Sequence, residues 1–185
     1  GKRKLSDDNK LMSGFNAFLD YDDNENLRAS IGAELRSAVV DLTTNYYQKL
    51  GNGSGEKVLD GYDYQLSSQV PYLEWASIFY GGYKWSGVER NDIEGAKYGS
   101  ELFLSPHFSL ELAYDDKKLK GLKDEWYARL LLIYPPRQGP TAQDGISDTV
   151  WKTEKDMSDQ LLTKVKRQNK IMVEFDGLAT ISRLD

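Results

Sequence analysis

The sequence predicts an all-β chain folded as an up-and-down antiparallel barrel, with one short helix near its C-terminus. Two patterns predict it. Apolar and polar residues alternate with period two in one stretch after another, and the connections between those stretches alternate between tight and long. A third observation bounds the answer. Among 185 residues, 39% are apolar and 12% aromatic, too much for a disordered chain and enough for one domain with an interior.

The clearest strand is Leu27-Arg28-Ala29-Ser30-Ile31-Gly32-Ala33-Glu34-Leu35-Arg36, in which every odd position is apolar and every even one polar or glycine. The same alternation runs through 40–49, where Val40, Leu42, Thr44 and Tyr46 oppose Asp41, Thr43, Asn45 and Tyr47. In 62–70, Tyr62, Tyr64, Leu66 and Val70 oppose Asp63, Gln65, Ser67 and Gln69. In 96–104, Ala96, Tyr98, Leu102 and Leu104 oppose Lys97, Gly99 and Glu101; in 108–114, Phe108, Leu110, Leu112 and Tyr114 oppose Ser109 and Glu111. Three aromatic-rich runs, 11–21, 73–83 and 126–134, read as strands with apolar residues on both faces, which brings the count to eight.

The connections take turns in length. Residues 22–26 are open and acidic, Ser37-Ala38 is tight, and 50–61 is long and contains Gly51-Asn52-Gly53-Ser54-Gly55. Val70-Pro71-Tyr72 is tight, 85–95 long, Ser105-Pro106-His107 tight, and 115–124 long and charged. Beyond Tyr134, Pro135-Pro136 and Gly139-Pro140 end the strand pattern. Residues 153–167 then read as a helix with Met157, Leu161 and Val165 on one face, followed by a short alternating strand, Ile171-Met172-Val173-Glu174-Phe175. The chain thus divides into strands over 1–135, a connection with a helix over 136–168, and a terminal segment over 169–185.

Composition removes several function classes. A formal charge of −5 with no clustered basic face argues against nucleic acid as a partner. With no cysteine, thiolate nucleophiles, disulfides and cysteine-based zinc sites are excluded. No run of roughly 18 apolar residues is present, so no membrane-spanning helix is expected, while a barrel stays possible because its strands barely register on hydropathy. A mean hydropathy of −0.61 therefore does not by itself mean a water-soluble protein. Gly1-Lys2-Arg3-Lys4 lacks the apolar core of a leader, so the chain is expected to be mature, trimmed or a fragment.

Alternation alone does not say which face is wet. Three features favour a membrane barrel over a soluble lipocalin-like carrier. The best strands run about ten residues, matching the roughly 9 to 11 that cross a bilayer when tilted. Tyr46-Tyr47, Tyr62, Tyr83, Trp85, Tyr114, Trp126 and Tyr134 gather near strand ends, where interfacial girdles lie. The polar face carries both signs and is expected to line a hydrated lumen through Arg28, Glu34, Arg36, Asp41, Asp63, Gln65, Lys97, Glu101, Glu111 and Arg129.

Against these, several residue groups have plainer readings. Asp20-Tyr21-Asp22-Asp23-Asn24-Glu25 lacks the glycine and glutamate that a calcium loop needs at its sixth and twelfth positions, and reads as a solvated acidic loop. His107, the one histidine, sits in a turn beside Pro106 without partners for a triad or a zinc site. Asn52-Gly53-Ser54 fits a glycosylation sequon and reads as a flexible turn. Paired carboxylates on the polar face read as pore lining rather than acid/base machinery. No catalytic residue, metal or cofactor is expected.

The sequence resembles the β-domain of inverse autotransporters, the intimin and invasin family. The resemblance begins at Leu11-Met12-Ser13-Gly14-Phe15-Asn16-Ala17-Phe18-Leu19-Asp20-Tyr21-Asp22 and continues through Leu27-Arg28-Ala29-Ser30-Ile31-Gly32-Ala33-Glu34. It goes on at Gly61-Tyr62-Asp63-Tyr64 and Val70-Pro71-Tyr72-Leu73, and ends at Val165-Lys166-Arg167-Gln168-Asn169-Lys170-Ile171-Met172-Val173-Glu174-Phe175. It implies a twelve-stranded barrel in the bacterial outer membrane, with eight strands here and four before Gly1. It also implies a translocator that anchors and exports a C-terminal adhesin-type passenger, with outer-membrane lipid, the barrel-assembly machinery and periplasmic chaperones as partners. The helix would lie at the periplasmic end. Asn169, Ile171, Val173 and Phe175 would thread the lumen, leaving 176–185 outside; alternatively 171–175 would close the barrel as its last strand. The remaining alternatives are a pore without a passenger and a soluble small-ligand carrier.

Overall fold

The computed structural model describes residues 1–118, 124–153 and 156–175. Nine strands form one antiparallel meander in which each pairs with the next along the chain: β1 (Lys2–Leu5), β2 (Leu11–Tyr21), β3 (Leu27–Ser37), β4 (Val40–Gly51), β6 (Asp60–Val70), β7 (Leu73–Ser86), β8 (Ile93–Ser105), β9 (Phe108–Lys117) and β10 (Glu125–Leu132). The eight expected strands are all present. β1 is the addition, and the charged Lys2-Arg3-Lys4 gave no alternation by which to find it. Among the described residues no ladder joins β10 to β1, so the wall is open between them.

The turn chemistry sets the up-and-down order. At the short end, β3 and β4, β6 and β7, and β8 and β9 are each separated by two residues. The Ser37 hydroxyl accepts from the amide of Val40 at 3.0 Å and donates to its carbonyl at 2.9 Å. After Pro71, Tyr72 takes the left-handed φ of 63° that closes the second turn. The long connections all lie at the other end. One of them contains β5 (Glu56–Val58), which pairs antiparallel with β11 (Val173–Phe175) in a sheet of its own.

The faces are inverted relative to a water-soluble sheet protein. Phe15, Leu19, Ile31, Leu35, Leu66, Ile78, Leu130 and Leu132 are exposed, while Arg28, Glu34, Arg36, Thr43, Asn45, Ser67 and Gln69 are buried. Ile31 is 62% exposed and its near neighbour Arg28 0%, so the strand turns its grease outward and its charge inward. The apolar core is small and sits at the long-loop end. Tyr47, Leu59, Trp85, Ile93 and Met172 form one cluster with Tyr83 against it, and Val58, Ile171 and Val173 form another with Phe175.

After β10 the chain runs back along the short-turn rim. The Ile133 amide donates to the carbonyl of His107 at 2.7 Å, and the Arg137 amide to Pro106 at 3.0 Å. Further on, Ser147 donates to Tyr72 at 2.8 Å, Tyr72 to Val150 at 3.0 Å, and Met157 to Asn9 at 2.8 Å. This belt carries the chain from β10 to the β1–β2 turn, where Met157 is buried.

The helix expected over 153–167 is not formed in the described residues; residues 154–155 lie outside them. A single 3-10 turn, Met157–Gln160, is capped by Asp156, whose carboxylate accepts from the Ser158 amide at 2.8 Å. Met157, Leu161 and Val165 have helical spacing, but the carbonyls of Gln160, Leu161 and Thr163, which would accept intrahelical bonds from four residues on, accept from the Arg3 side chain of the wall. The terminal strand is also shorter than expected, covering Val173–Phe175, and it pairs with β5 rather than with an edge of the large sheet.

Candidate functional site: a polar inner face holding the chain's own C-terminal segment

Strand parity places every charged residue of the inner face. In β3, Arg28, Glu34 and Arg36 share parity, and antiparallel register sets Glu34 beside Gly14 of β2 and Thr43 of β4. A Cβ at Gly14 would stand 2.6 Å from Oε1 of Glu34, so the glycine makes room for that carboxylate. Arg3 of β1 reaches over to Glu34 with Nε–Oε1 2.5 Å, and Arg36 joins from the other side with Nη2–Oε2 2.8 Å. Two guanidiniums thus share one buried carboxylate and keep further N–H groups for other acceptors.

Those acceptors belong to the C-terminal segment. Arg3 Nη1 donates to the carbonyls of Gln160, Leu161 and Thr163 at 2.9, 2.7 and 2.7 Å. Arg36 donates to the Thr163 hydroxyl at 2.9 Å and the Lys164 carbonyl at 3.4 Å. Asn45 Nδ2 donates to the Lys166 carbonyl at 3.0 Å and to Asp63 at 2.7 Å. The Gln168 amide donates to the Tyr47 hydroxyl at 2.7 Å, which in turn donates to Asp63 at 2.7 Å. Arg28, lying 4.5 Å over the Tyr47 ring, donates to the carbonyls of Gln168 and Lys170, both at 2.9 Å. At the far end the Leu59 amide donates to the Met172 carbonyl at 2.9 Å, and β11 then pairs with β5.

One side chain of the segment is gripped tightly. Arg167 donates to Asp20 at 2.9 and 2.6 Å and to the Ser30 hydroxyl at 3.2 Å, and stacks 4.1 Å over the Phe18 ring. Asp20 also accepts from Arg28 at 2.9 Å, so two arginines flank it. At the long-loop end, the Glu174 carboxylate is buried and accepts from the amides of Val88 at 3.0 Å and Glu89 at 3.4 Å. Asn26 and Asn24 bond Glu56 beside it, tying the 22–26 loop to β5.

The remaining predicted polar residues sit on the same inner parity. Asp41, Asp63 and Gln65 are half-buried. Lys97 lies 5.5 Å over the Tyr83 ring, and Lys166 approaches Glu101 to 3.9 Å. Glu111 accepts from the Tyr127 hydroxyl at 2.8 Å and faces Arg129 at 3.9 Å. In the terminal segment, Asn169 is exposed, Ile171 and Val173 are buried against Val58, and Phe175 packs at their edge. Residues 176–185, expected outside, lie outside the described residues.

Of the aromatic residues expected in girdles, Tyr46, Tyr62, Trp126 and Tyr134 are exposed, and Tyr114 stacks 4.8 Å from Trp126. Tyr83 and Trp85 are corrections. In β7 the outward positions are Ile78 and Tyr80, so odd residues point inward. Tyr83 donates to Asp115 at 3.0 Å, and Trp85, 3% exposed, packs 5.1 Å from Tyr47. Tyr47 likewise points inward, as its parity with Asp41 requires.

Asp20, Arg3 and Arg167 belong to this site and were not among the expected residues. Asp20 reads as part of an acidic loop because it adjoins Asp22 and Asp23, yet its even parity with Met12, Gly14 and Asn16 was available. Asp22 carries the loop itself, accepting from the amides of Asn24 and Asn26, both at 3.0 Å. In the belt, the amide and then the hydroxyl of Thr141 hold the Asp144 carboxyl below its ordinary range.

An outward apolar face, an inward polar one, and short turns facing long loops define a transmembrane β-barrel of the outer-membrane kind. Residues 1–169 match the family described as the inverse autotransporter β-domain, and the chain belongs to that family. It is therefore an outer-membrane β-domain of a Gram-negative secretion system. One solved structure, from a study of the mechanism behind the in-meso crystallization of membrane proteins, is similar in fold. Its TM-score is 0.68 at 16% identity, over 90% of this chain and 75% of that one. No curated protein matches the chain.

Proposed function

We propose that this domain anchors a C-terminal, surface-exposed adhesin-type passenger in the outer membrane and exports it through its own polar lumen. In this reading Arg28, Glu34, Arg36, Asp41, Asp63, Gln65, Lys97, Glu101, Glu111 and Arg129 line the lumen. The exposed aromatics Tyr46, Tyr62, Trp126 and Tyr134 meet the membrane interface. Insertion would require the barrel-assembly machinery and periplasmic chaperones. No catalytic step is involved.

The observation that carries the reading is the direction of the C-terminal segment. It enters beside Arg36 near the short turns and leaves beside Leu59 and β5 at the long loops. Short turns lie on the periplasmic side of such barrels and long loops outside, so a chain following this path travels outward. Its pairing with β5 also favours threading over closure of the wall as a last strand.

An epitope inserted after Asp185, with a second placed in the Pro71-Tyr72 turn as control, tests this in whole cells. Antibody should label the first epitope on intact cells and the second only after the outer membrane is permeabilised. Labelling of the first only after permeabilisation would refute export in this direction.

A further inference from the structure

We propose that the inner face of β1 to β4 is a track for polypeptide main chain of any sequence, and that the Asp20–Arg167 ion pair is the stop that sets where the chain halts. This deepens the export reading and rests on it. The contacts fall into two chemical kinds. The first kind recurs with period two beyond the entry, where Arg3 gathers the carbonyls of Gln160, Leu161 and Thr163: those of Lys164, Lys166, Gln168, Lys170 and Met172 are taken in turn by Arg36, Asn45, Arg28, Arg28 again and the Leu59 amide. Every second carbonyl from Lys164 to Met172 meets a donor although the chain bends at Arg167 and Lys170, so these donors follow the main chain rather than the side chains.

A slip of two residues would bring the next carbonyl of this alternate series to each donor. A slip of one would turn the carbonyl edge away. The same face also holds buried donors without an acceptor among the described residues, Arg36 Nε and Asn16 Nδ2. Surplus donors suit a face whose acceptors move past it, since guanidinium and carboxamide N–H groups can hand a carbonyl to a neighbour.

The second kind of contact distinguishes one register from the rest. Arg167 is bidentate on Asp20 and lies over Phe18. Two residues before it stands Val165 and two after it Asn169, neither of them charged. Any two-residue slip therefore keeps the carbonyl contacts and leaves Asp20 with Arg28 alone. The Arg36 bond to the Thr163 hydroxyl and the 3.9 Å approach of Lys166 to Glu101 are single contacts, whereas Arg167 is held by two carboxylate oxygens and a ring, so side-chain recognition is strongest at that one point.

The test is a cysteine cross-linking walk in the membrane-inserted protein. Thr43→Cys, buried on the inner face two residues from Asn45, is paired in turn with a cysteine at each of positions 162 to 166 and at 168, so that Arg167 is kept. With Asp20 intact, one partner should dominate. In Asp20→Asn, its share should fall by about half, with new partners appearing two residues away and none at one, as registers of similar energy become populated. Arg167→Gln should behave alike without touching the wall, and Arg167→Lys should restore a single partner. A single sharp partner in Asp20→Asn and Arg167→Gln would overturn the stop. Partners spread without a two-residue period, or cross-links lost from these variants alone, would overturn the track. Absence of every cross-link with Asp20 and Arg167 intact would instead refute passage through the lumen itself.

Discussion

Replacing Arg28 by methionine isolates the contribution of the segment to the stability of the wall. Methionine keeps an unbranched apolar stem in a site where the arginine is fully buried. What it deletes is defined: two bonds to Asp20, at 3.2 and 2.9 Å, one each to the carbonyls of Gln168 and Lys170, and the guanidinium's stacking 4.5 Å over the Tyr47 ring, where the methionine sulfur keeps an aromatic contact. Asp20 is not orphaned, because Arg167 still holds both of its oxygens. The two carbonyls are. Each bond to a charged donor contributes about 1.5–3 kcal/mol, giving about 3–6 kcal/mol for the pair. Relief from desolvating the guanidinium offsets part of this, leaving a net destabilisation of about 2–4 kcal/mol. Urea unfolding in lipid vesicles, followed by the four tryptophans, measures it. With a slope near 2 kcal/mol per molar, the midpoint should fall by about 1–2 M. An unchanged or raised midpoint would mean that the arginine's bonds to the segment contribute nothing net, and would refute the reasoning.

Other perturbations separate the two faces and the mouth. Ile31→Arg places a charge at mid-strand on the outward face and should cost about 2–4 kcal/mol in the same unfolding assay, as expected of a lipid-facing site. Gly32→Val should cost about 1–3 kcal/mol by overpacking, because a Cβ there collides with the Asn45 side chain and stands 2.8 Å from Asn16 Oδ1. Glu174→Ala should free the 87–92 loop from its two amide contacts. Trypsin cleavage after Arg90 on intact cells should then rise about tenfold or more, the loss of one charge-assisted bond being enough. An unchanged cleavage rate would mean that Glu174 does not hold the loop.

The wall was legible because a half-buried sheet writes itself into sequence as period two, and the turns add their own chemistry. That was enough to place all eight longer strands and to assign Arg28, Glu34 and Arg36 to one face and Ile31 and Leu35 to the other. Elements without alternation were not legible. Lys2–Leu5 is polar on both faces and is a strand only because β2 offers it an edge, and Glu56–Val58 exists as a strand because Val173–Phe175 pairs with it. The 153–167 stretch misleads for a related reason. Its helical spacing is a local preference, and Arg3, far away in sequence, takes the carbonyls of Gln160, Leu161 and Thr163 that a helix would have used internally. Trp85 shows the limit of reasoning from strand ends alone, since proximity to a loop does not fix a face and parity does.

Spin labels at Ile31 and Ser30, adjacent residues on opposite faces of β3, test the orientation on which all of this depends. In the inserted protein, power saturation should show Ile31 accessible to oxygen dissolved in the bilayer and shielded from a water-soluble nickel chelate. Ser30 should be sheltered from bilayer oxygen. The reverse pattern, with Ser30 in contact with lipid and Ile31 turned inward, would contradict the account.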